Sequence, residues 1–185
     1  RAPRLGLLDD AARATRRAAM AADPANIAMV RTIERVAGSF ELPYIALLDV
    51  DGYIVASNPG RGTPPDTIGP VTLARREYFQ FALAGGSAMQ FLVGRFTRVP
   101  GIYFAHRIEH EGRPVGVAVV KQDIDAVDRL LGERGGNLTV VSDSRGVVLL
   151  SNRSDWSMSR LPGVDVPAGF DWQEDYQRVP ALLDW

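Results

Sequence analysis

The sequence predicts an α+β fold, in which helices flank a five-stranded antiparallel sheet, and three observations predict it. Helical periodicity fills the first 40 residues. The period changes at Leu42, where a strand-turn-strand unit begins. Three more strand-like runs follow a short helical stretch. Strands clustered in this way, with helices before and between them, give a sheet with helices packed on its faces.

Each element has a local reason. In residues 4–22, Leu5, Leu8, Ala12, Thr15 and Ala19 recur at helical steps, with Arg13, Arg16 and Arg17 largely off the stripe. Asp23-Pro24 offers a capping carboxylate followed by proline at a first helical position. A second helix is expected over 24–39, with Ile27, Val30, Ile33 and Val36 or Ala37 inward; the two could equally form one long helix kinked near Pro24. Tyr44–Asp49 and Tyr53–Ser57 read as strands around the turn Val50-Asp51-Gly52. Residues 58–70 are a Gly- and Pro-rich loop, and 73–84 read as a helix ended by Gly85-Gly86. Strands are expected over 88–94, 101–108 and 114–121, the last two joined at Glu111-Gly112-Arg113. A helix over 123–132 follows, with Ile124, Val127, Leu130 and Leu131 inward.

The opening hairpin recurs. Residues 46–58 align without gaps on 140–152, keeping Asp49/Asp143, Gly52/Gly146 and Ser57-Asn58/Ser151-Asn152 at one offset. A repeated opening unit implies two tandem modules. The expected division is a helical stalk over 1–40, a first module over 41–135 and a second over 136–185. The second is short and its tail shows no clear strand series, so it is either reduced or truncated. The chain begins at Arg1 and reads as a piece of a longer protein.

Composition excludes several classes. Of 185 residues, 46% are hydrophobic and 23% charged, which is a globular balance. A formal charge of −1 argues against a dedicated nucleic-acid binder. No apolar run approaches the roughly 18 residues of a membrane span. Without cysteine there is no disulfide framework, thiolate zinc site or cysteine nucleophile. The only histidines are His106 and His110, and no nucleophile elbow, phosphate loop or zincin motif is present. Nothing calls for a cofactor or a metal. Asp49, Asp51 and Asp143 flank turns, and turn chemistry accounts for them. Lys121 is the one lysine among 21 basic residues.

Several motifs stand in a specific order: Ala56-Ser57-Asn58, Ile68-Gly69, Arg76-Glu77-Tyr78-Phe79-Gln80 with Ala82 and Gly85, Gly101–His106, Gly116–Ile124 and Val141–Val147. Over roughly 60% of the chain this resembles the periplasmic double-PAS sensor domain of C4-dicarboxylate sensor histidine kinases, within the double Cache (PDC) family. The resemblance implies a long N-terminal helix, then a PAS-like (Cache) five-stranded antiparallel module, then a second, shortened PAS-like module. It further implies a ligand held in the first module between the sheet and the loop-helix segment before the third strand. Sensors of this type are typically dimeric through the N-terminal helix. Their sensor domains are periplasmic, with transmembrane helices flanking them in the full-length protein.

On that resemblance, the ligand-binding residues are Arg76, Tyr78, Tyr103, Lys121 and Thr97. Arg76 offers a planar, always-charged fork to a carboxylate, and Lys121 a compact ammonium at a strand end. A dicarboxylate needs two cationic anchors, because each buried carboxylate must be paired. Tyr78 and Tyr103 would donate hydrogen bonds and limit pocket size. The small Thr/Ser/Gly-rich loop of the family is replaced by the bulkier Gly94–Pro100, where Thr97 keeps a hydroxyl and Arg95 and Arg98 either add anion contacts or face water. His106 lies on the strand face opposite Tyr103. Asp123 is expected to cap the helix that follows it, and Arg75 is expected to be exposed.

The expected function is an extracytoplasmic sensing domain binding a small organic acid, with catalysis outside this chain. Two alternatives stay open: the ligand-binding domain of a chemoreceptor or diguanylate cyclase, and a structural dimerisation module with no ligand.

Overall fold

The computed structural model describes residues 9–58, 67–124 and 138–184. Two compact units account for them: Arg1–Gln90 with Tyr103–Gln122, and Phe91–Ile102 with Asp123–Trp185.

The first unit opens with two helices. Helix α1 spans Asp10–Ala22, and the Asp9 side chain caps it by accepting from Ala12 N at 2.8 Å. Leu5 and Leu8, expected on its stripe, lie outside the described residues. Asp23 closes α1 and caps α2 (Pro24–Ser39), accepting from Ala25 N at 2.9 Å. The Asp-Pro pair therefore makes two helices rather than one kinked helix. Helix α2 buries Ile33 and Ala37 against Ile45 and Ala56, with Val30, Leu47 and Val120 around them.

Strands β1 (Tyr44–Asp49) and β2 (Ile54–Ser57) form the first hairpin, with a bulge between Leu47 and Leu48. Tyr53, expected within β2, instead bridges Thr72. Helix α3 runs Glu77–Gly85, four residues later than the periodicity suggests. The intervening backbone is committed elsewhere: Leu73 N donates to Gly52 O, Ala74 N to Thr72 Oγ1, and Arg76 is extended at φ −73, ψ 130. Strands β3 (Ser87–Val93), β4 (Pro100–His110) and β5 (Arg113–Asp123) follow. The sheet order is β2-β1-β5-β4-β3, with β1 antiparallel to both β2 and β5.

The two faces of β1 go to different places. Ile45 and Leu47 face α2. Tyr44, Ala46 and Leu48 turn the other way and stand opposite Lys121, Val119 and Val117 of β5, all six buried. A period of two thus yields one face for the helix and one for a site.

The second unit contains the hairpin β6 (Val140–Ser142) and β7 (Val148–Ser151), a 3-10 turn at Ser154–Trp156 and the short helix α4 (Trp172–Tyr176). Its core joins Phe91, Val93, Ile124, Val147, Leu150, Met158 and Tyr176, with Ile102, Phe170 and Trp172 beside them. This packing places residues 91–102 with the second hairpin. The tail carries single bridges, Val147 to Arg160 and Arg160 to Leu182, instead of a strand series. The helix expected over 123–132 falls, beyond Ile124, outside the described residues.

Candidate functional site

Helix α3 and strands β1, β4 and β5 bring most of the expected site residues into the first unit. Arg76 is the residue before α3 and is 2% exposed. Its backbone is fixed from both sides: its N–H donates to Leu73 O at 2.9 Å, and its carbonyl accepts from Phe79 N at 3.1 Å. Two residues on, Tyr78 N donates to Gln90 Oε1 at 3.0 Å, and Gln90 Nε2 donates to Glu77 Oε2 at 3.4 Å. The β3 glutamine thereby satisfies a first-turn amide of α3 that has no partner within the helix.

The Tyr78 ring stacks on Tyr103 of β4, with centroids 5.4 Å apart and planes 9° from parallel. Lys121 Nζ lies over the other member of that pair, 6.0 Å from the Tyr103 centroid. Lys121 is 1% exposed. Stacked rings and an ammonium over an aromatic face each contribute about 0.5–1.5 kcal/mol. Tyr78, Tyr103 and Lys121 therefore form one chain of contacts, and Arg76 is buried at the start of the helix that supplies Tyr78.

Tyr44 was not among the expected site residues, yet it stands directly opposite Lys121 on the neighbouring strand. Burial first, then the proximity of Tyr78, pushes its phenol well above the usual tyrosine range. The signal was present in the sequence: Tyr44, Ala46 and Leu48 share a strand face, and a tyrosine on the buried face needs a polar neighbour.

Thr97 belongs to the second unit, where its hydroxyl accepts from Val99 N at 3.4 Å. Arg95 pairs with Glu174, and this ion pair accounts for it without a ligand. Arg98 and Arg75 are exposed. His106 is exposed and lines an open hollow of about 590 Å³ with Met89, Phe104 and Val120. A second hollow of about 590 Å³ lies between α1, α2 and Ile68. Neither includes Arg76, Tyr78, Tyr103 or Lys121.

Among the described residues of the first unit, Ser57, Asn58, Thr67, Arg76, Gln90 and Lys121 are buried polar side chains. Arg76 and Lys121 are buried in the same unit as Tyr44, Tyr78 and Tyr103, a donor-rich set of side chains suited to an anion. Among the described residues no group of His, Asp and Glu is arranged to hold a metal ion. Among the same residues no helix is long and apolar enough to cross a membrane.

No protein-family model matches the chain. It is 34% identical over 157 residues to the C4-dicarboxylate transport sensor protein DctB of Rhizobium meliloti (strain 1021), a match covering 84% of this chain and 24% of that protein. It is 38% identical over 113 residues to the DctB of Pseudomonas aeruginosa, covering 60% of this chain and 18% of that one. The chain thus spans about a quarter or less of the curated relatives it matches. Among solved structures, the sensor domain of the V. cholerae histidine kinase DctB superposes with a TM-score of 0.75 at 22% identity, over 95% of this chain and 68% of that one. The ligand-binding domain of the Pseudomonas fluorescens chemoreceptor CtaA, in complex with L-serine, gives 0.57 at 20% identity, over 80% and 63%. The chain is therefore a homologue of the C4-dicarboxylate transport sensor proteins over most of its own length, and it carries the Cache-type fold of their sensor domain.

Proposed function

We propose that this chain is the extracytoplasmic ligand-sensing part of a bacterial sensor histidine kinase, binding a small organic carboxylate through Arg76, Tyr78, Tyr103 and Lys121. C4-dicarboxylates are the first candidates, because the curated relatives are named for their transport. The observation that carries the reading is the burial of two cations, Arg76 and Lys121, at 2% and 1% exposure in one small unit. Burying each such charge costs several kcal/mol, and a dianion compensates both at once. Both cations also have contacts within the chain. Ligand would favour one arrangement of these groups over another, and that differential affinity is what can be transmitted.

The proposed organisation has a stalk over 1–40, a ligand module built from 41–90 and 103–122, and a shortened module around the second hairpin that also takes in residues 91–102. The repeated hairpin supports it. Dimerisation through the N-terminal helices is part of the proposal and is supported by apolar side chains left exposed on α2: Ile27, Met29 and Val36. The kinase and flanking transmembrane helices would lie outside this chain, with the chain itself on the periplasmic side of the inner membrane.

The test is a thermal-shift panel of mono- and dicarboxylates together with amino acids such as L-serine. An acid at about 100 times its dissociation constant should add about 2.7 kcal/mol of stability. For a chain of this length that raises the melting temperature by about 5–10 °C. Lys121→Ala should abolish the shift. A shift by amino acids alone would favour a chemoreceptor-like specificity, and no shift by any compound would favour a ligand-free dimerisation module.

A further inference from the structure

Tyr44 is held with unusual care for the first residue of a strand. The Asn58 side chain grips the backbone on both sides of it. Its Oδ1 accepts from Ile45 N at 2.6 Å, and its Nδ2 donates to Pro43 O at 3.5 Å. The β1–β5 register sets Tyr44 directly opposite Lys121. Opposite residues of an antiparallel pair project to the same face, with Cβ atoms about 4.5–5.5 Å apart. The next residues along that face of β1 and β5 are Ala46 and Val119. Both are smaller than Tyr44, which is therefore the large polar side chain nearest to Lys121 on its neighbouring strand. Tyr44 is 7% exposed.

A carboxylate drawn out of water has about four lone-pair sites, and one ammonium cannot satisfy them all. It needs further donors beside the ammonium. A phenol supplies one at any physiological pH, provided it stays protonated. Burial and the neighbouring Tyr78 keep the Tyr44 phenol protonated.

We infer that Tyr44 is a further ligand-contact residue, whose hydroxyl donates to the same carboxylate that Lys121 neutralises. The inference rests on the carboxylate reading of this site and adds to it a residue outside the expected set. It also gives Asn58 a positioning role, since that side chain sets the backbone from which the ring projects.

The experiment is calorimetric titration of succinate into the whole chain as wild type, Tyr44→Phe and Lys121→Met. Tyr44→Phe keeps the ring and removes one donor. It should leave the ligand-free melting temperature within about 2 °C and weaken succinate by about tenfold or more, as expected for a hydrogen bond to a charged group. A second probe covers loss of folding by the phenylalanine variant: 3-fluorotyrosine at position 44 keeps the shape and is a stronger donor. It should bind succinate about twofold tighter.

Suppose succinate binds wild type, Lys121→Met loses it, and both position-44 variants stay within experimental error of wild type. The hydroxyl then serves only the fold, and this inference is overturned while the carboxylate site stands. Suppose instead that neither succinate nor other dicarboxylates bind wild type, or that Lys121→Met binds them as well as wild type. The carboxylate site itself then falls, and Tyr44 with it.

Discussion

The two hairpins of this chain share their backbone and differ in what fastens them. In the first, Asp49 Oδ1 accepts from Asp51 N at 3.0 Å and Tyr53 N at 2.9 Å. In the second, Asp143 Oδ1 accepts from Arg145 N and Val147 N, both at 2.9 Å. Gly52 and Gly146 follow at φ 79 and φ 75. Asn58 accepts from Ile45 N, and Asn152 from Thr139 N. Even the bulge recurs, between Leu47 and Leu48 and between Val141 and Ser142. The difference lies in the second carboxylate oxygen. That of Asp49 pairs with Arg16 of α1, and that of Asp143 accepts from the Tyr176 hydroxyl of α4. A repeated sequence thus specifies a turn and a register, while single residues far along the chain decide what the turn is attached to. The cores differ as well. The first hairpin shares a sheet with Lys121, whereas the second packs into Phe91, Tyr176 and their apolar neighbours.

The paired glycines give the largest expected difference. Both need positive φ, which costs an L-residue roughly 1–2 kcal/mol. A Cβ on Gly52 would also lie 2.7 Å from Ala74 N and 2.8 Å from Ala74 Cα, which are backbone atoms. On Gly146 the nearest atoms are Val164 Cγ2 at 2.9 Å and Val164 Cβ at 3.1 Å, side-chain atoms that can give by a few tenths of an ångström more readily than backbone. Gly52→Ala should therefore cost about 3 kcal/mol or more, and Gly146→Ala about 1–2 kcal/mol. Urea unfolding followed by circular dichroism measures both. Equal costs would mean that the loop at Ala74 moves as freely as the Val164 side chain.

The asparagines come next. Asn58 is buried and serves two backbone groups, while Asn152 is exposed and accepts from Thr139 N at 3.1 Å. Removing a buried acceptor leaves an amide without a partner, at about 1–3 kcal/mol, whereas water can replace an exposed one. Asn58→Ala should cost about 2 kcal/mol and Asn152→Ala less than about 1 kcal/mol in the same unfolding assay. If the order reverses, burial is not what separates the two copies.

Much of this was legible in the sequence for a physical reason: turn, cap and register signals are local. Asp23-Pro24 set the helix break, and the Asp-x-x-Gly spacing set both turns. A five-stranded antiparallel sheet followed from the run of strands, and Lys121 was expected near the end of one of them. What escaped was set by partners distant in sequence. The start of α3 was misjudged because Leu73 and Ala74 bond to Gly52 O and Thr72 Oγ1. Arg95 looked available for an anion, but Glu174 holds it, far along the chain. Tyr44 went unnoticed because its importance comes from the strand opposite.

The fastening residues separate the hairpins by a smaller and condition-dependent margin. Tyr176 is buried, and its hydroxyl meets a carboxylate. Burial, then the Asp143 hydrogen bond, raises its phenol well above the ordinary value, against a smaller lowering by Arg145. The folded state therefore holds this proton more tightly than the unfolded chain. The stability it contributes is fully present below pH of about 10 and falls as pH rises further, by about 1.4 kcal/mol per pH unit. Tyr176→Phe should cost about 1.5–2 kcal/mol at neutral pH and flatten that alkaline slope. Trp156 and Trp172 both lie in the second unit, so their fluorescence follows this loss.

The Arg16–Asp49 pair should give the smallest effect. Its side chains keep 30% and 21% of their surface in water, so the attraction is screened and offset by side-chain ordering. The guanidinium also lies 4.9 Å from the Tyr53 ring centroid, a contact that salt weakens less than it weakens the ion pair. Arg16→Gln should cost about 0.5–1 kcal/mol at low salt and less than half of that at 1 M salt. Tyr176→Phe should cost the same at both salt concentrations, because its partner is reached through a buried hydroxyl rather than a second charge. Equal salt sensitivity would mean that the two hairpins are fastened by the same physics. A purely salt-dependent Arg16 term would instead leave α1 held to the Asp49 turn by an exchangeable contact, which a change in helix position could release without disturbing the sheet.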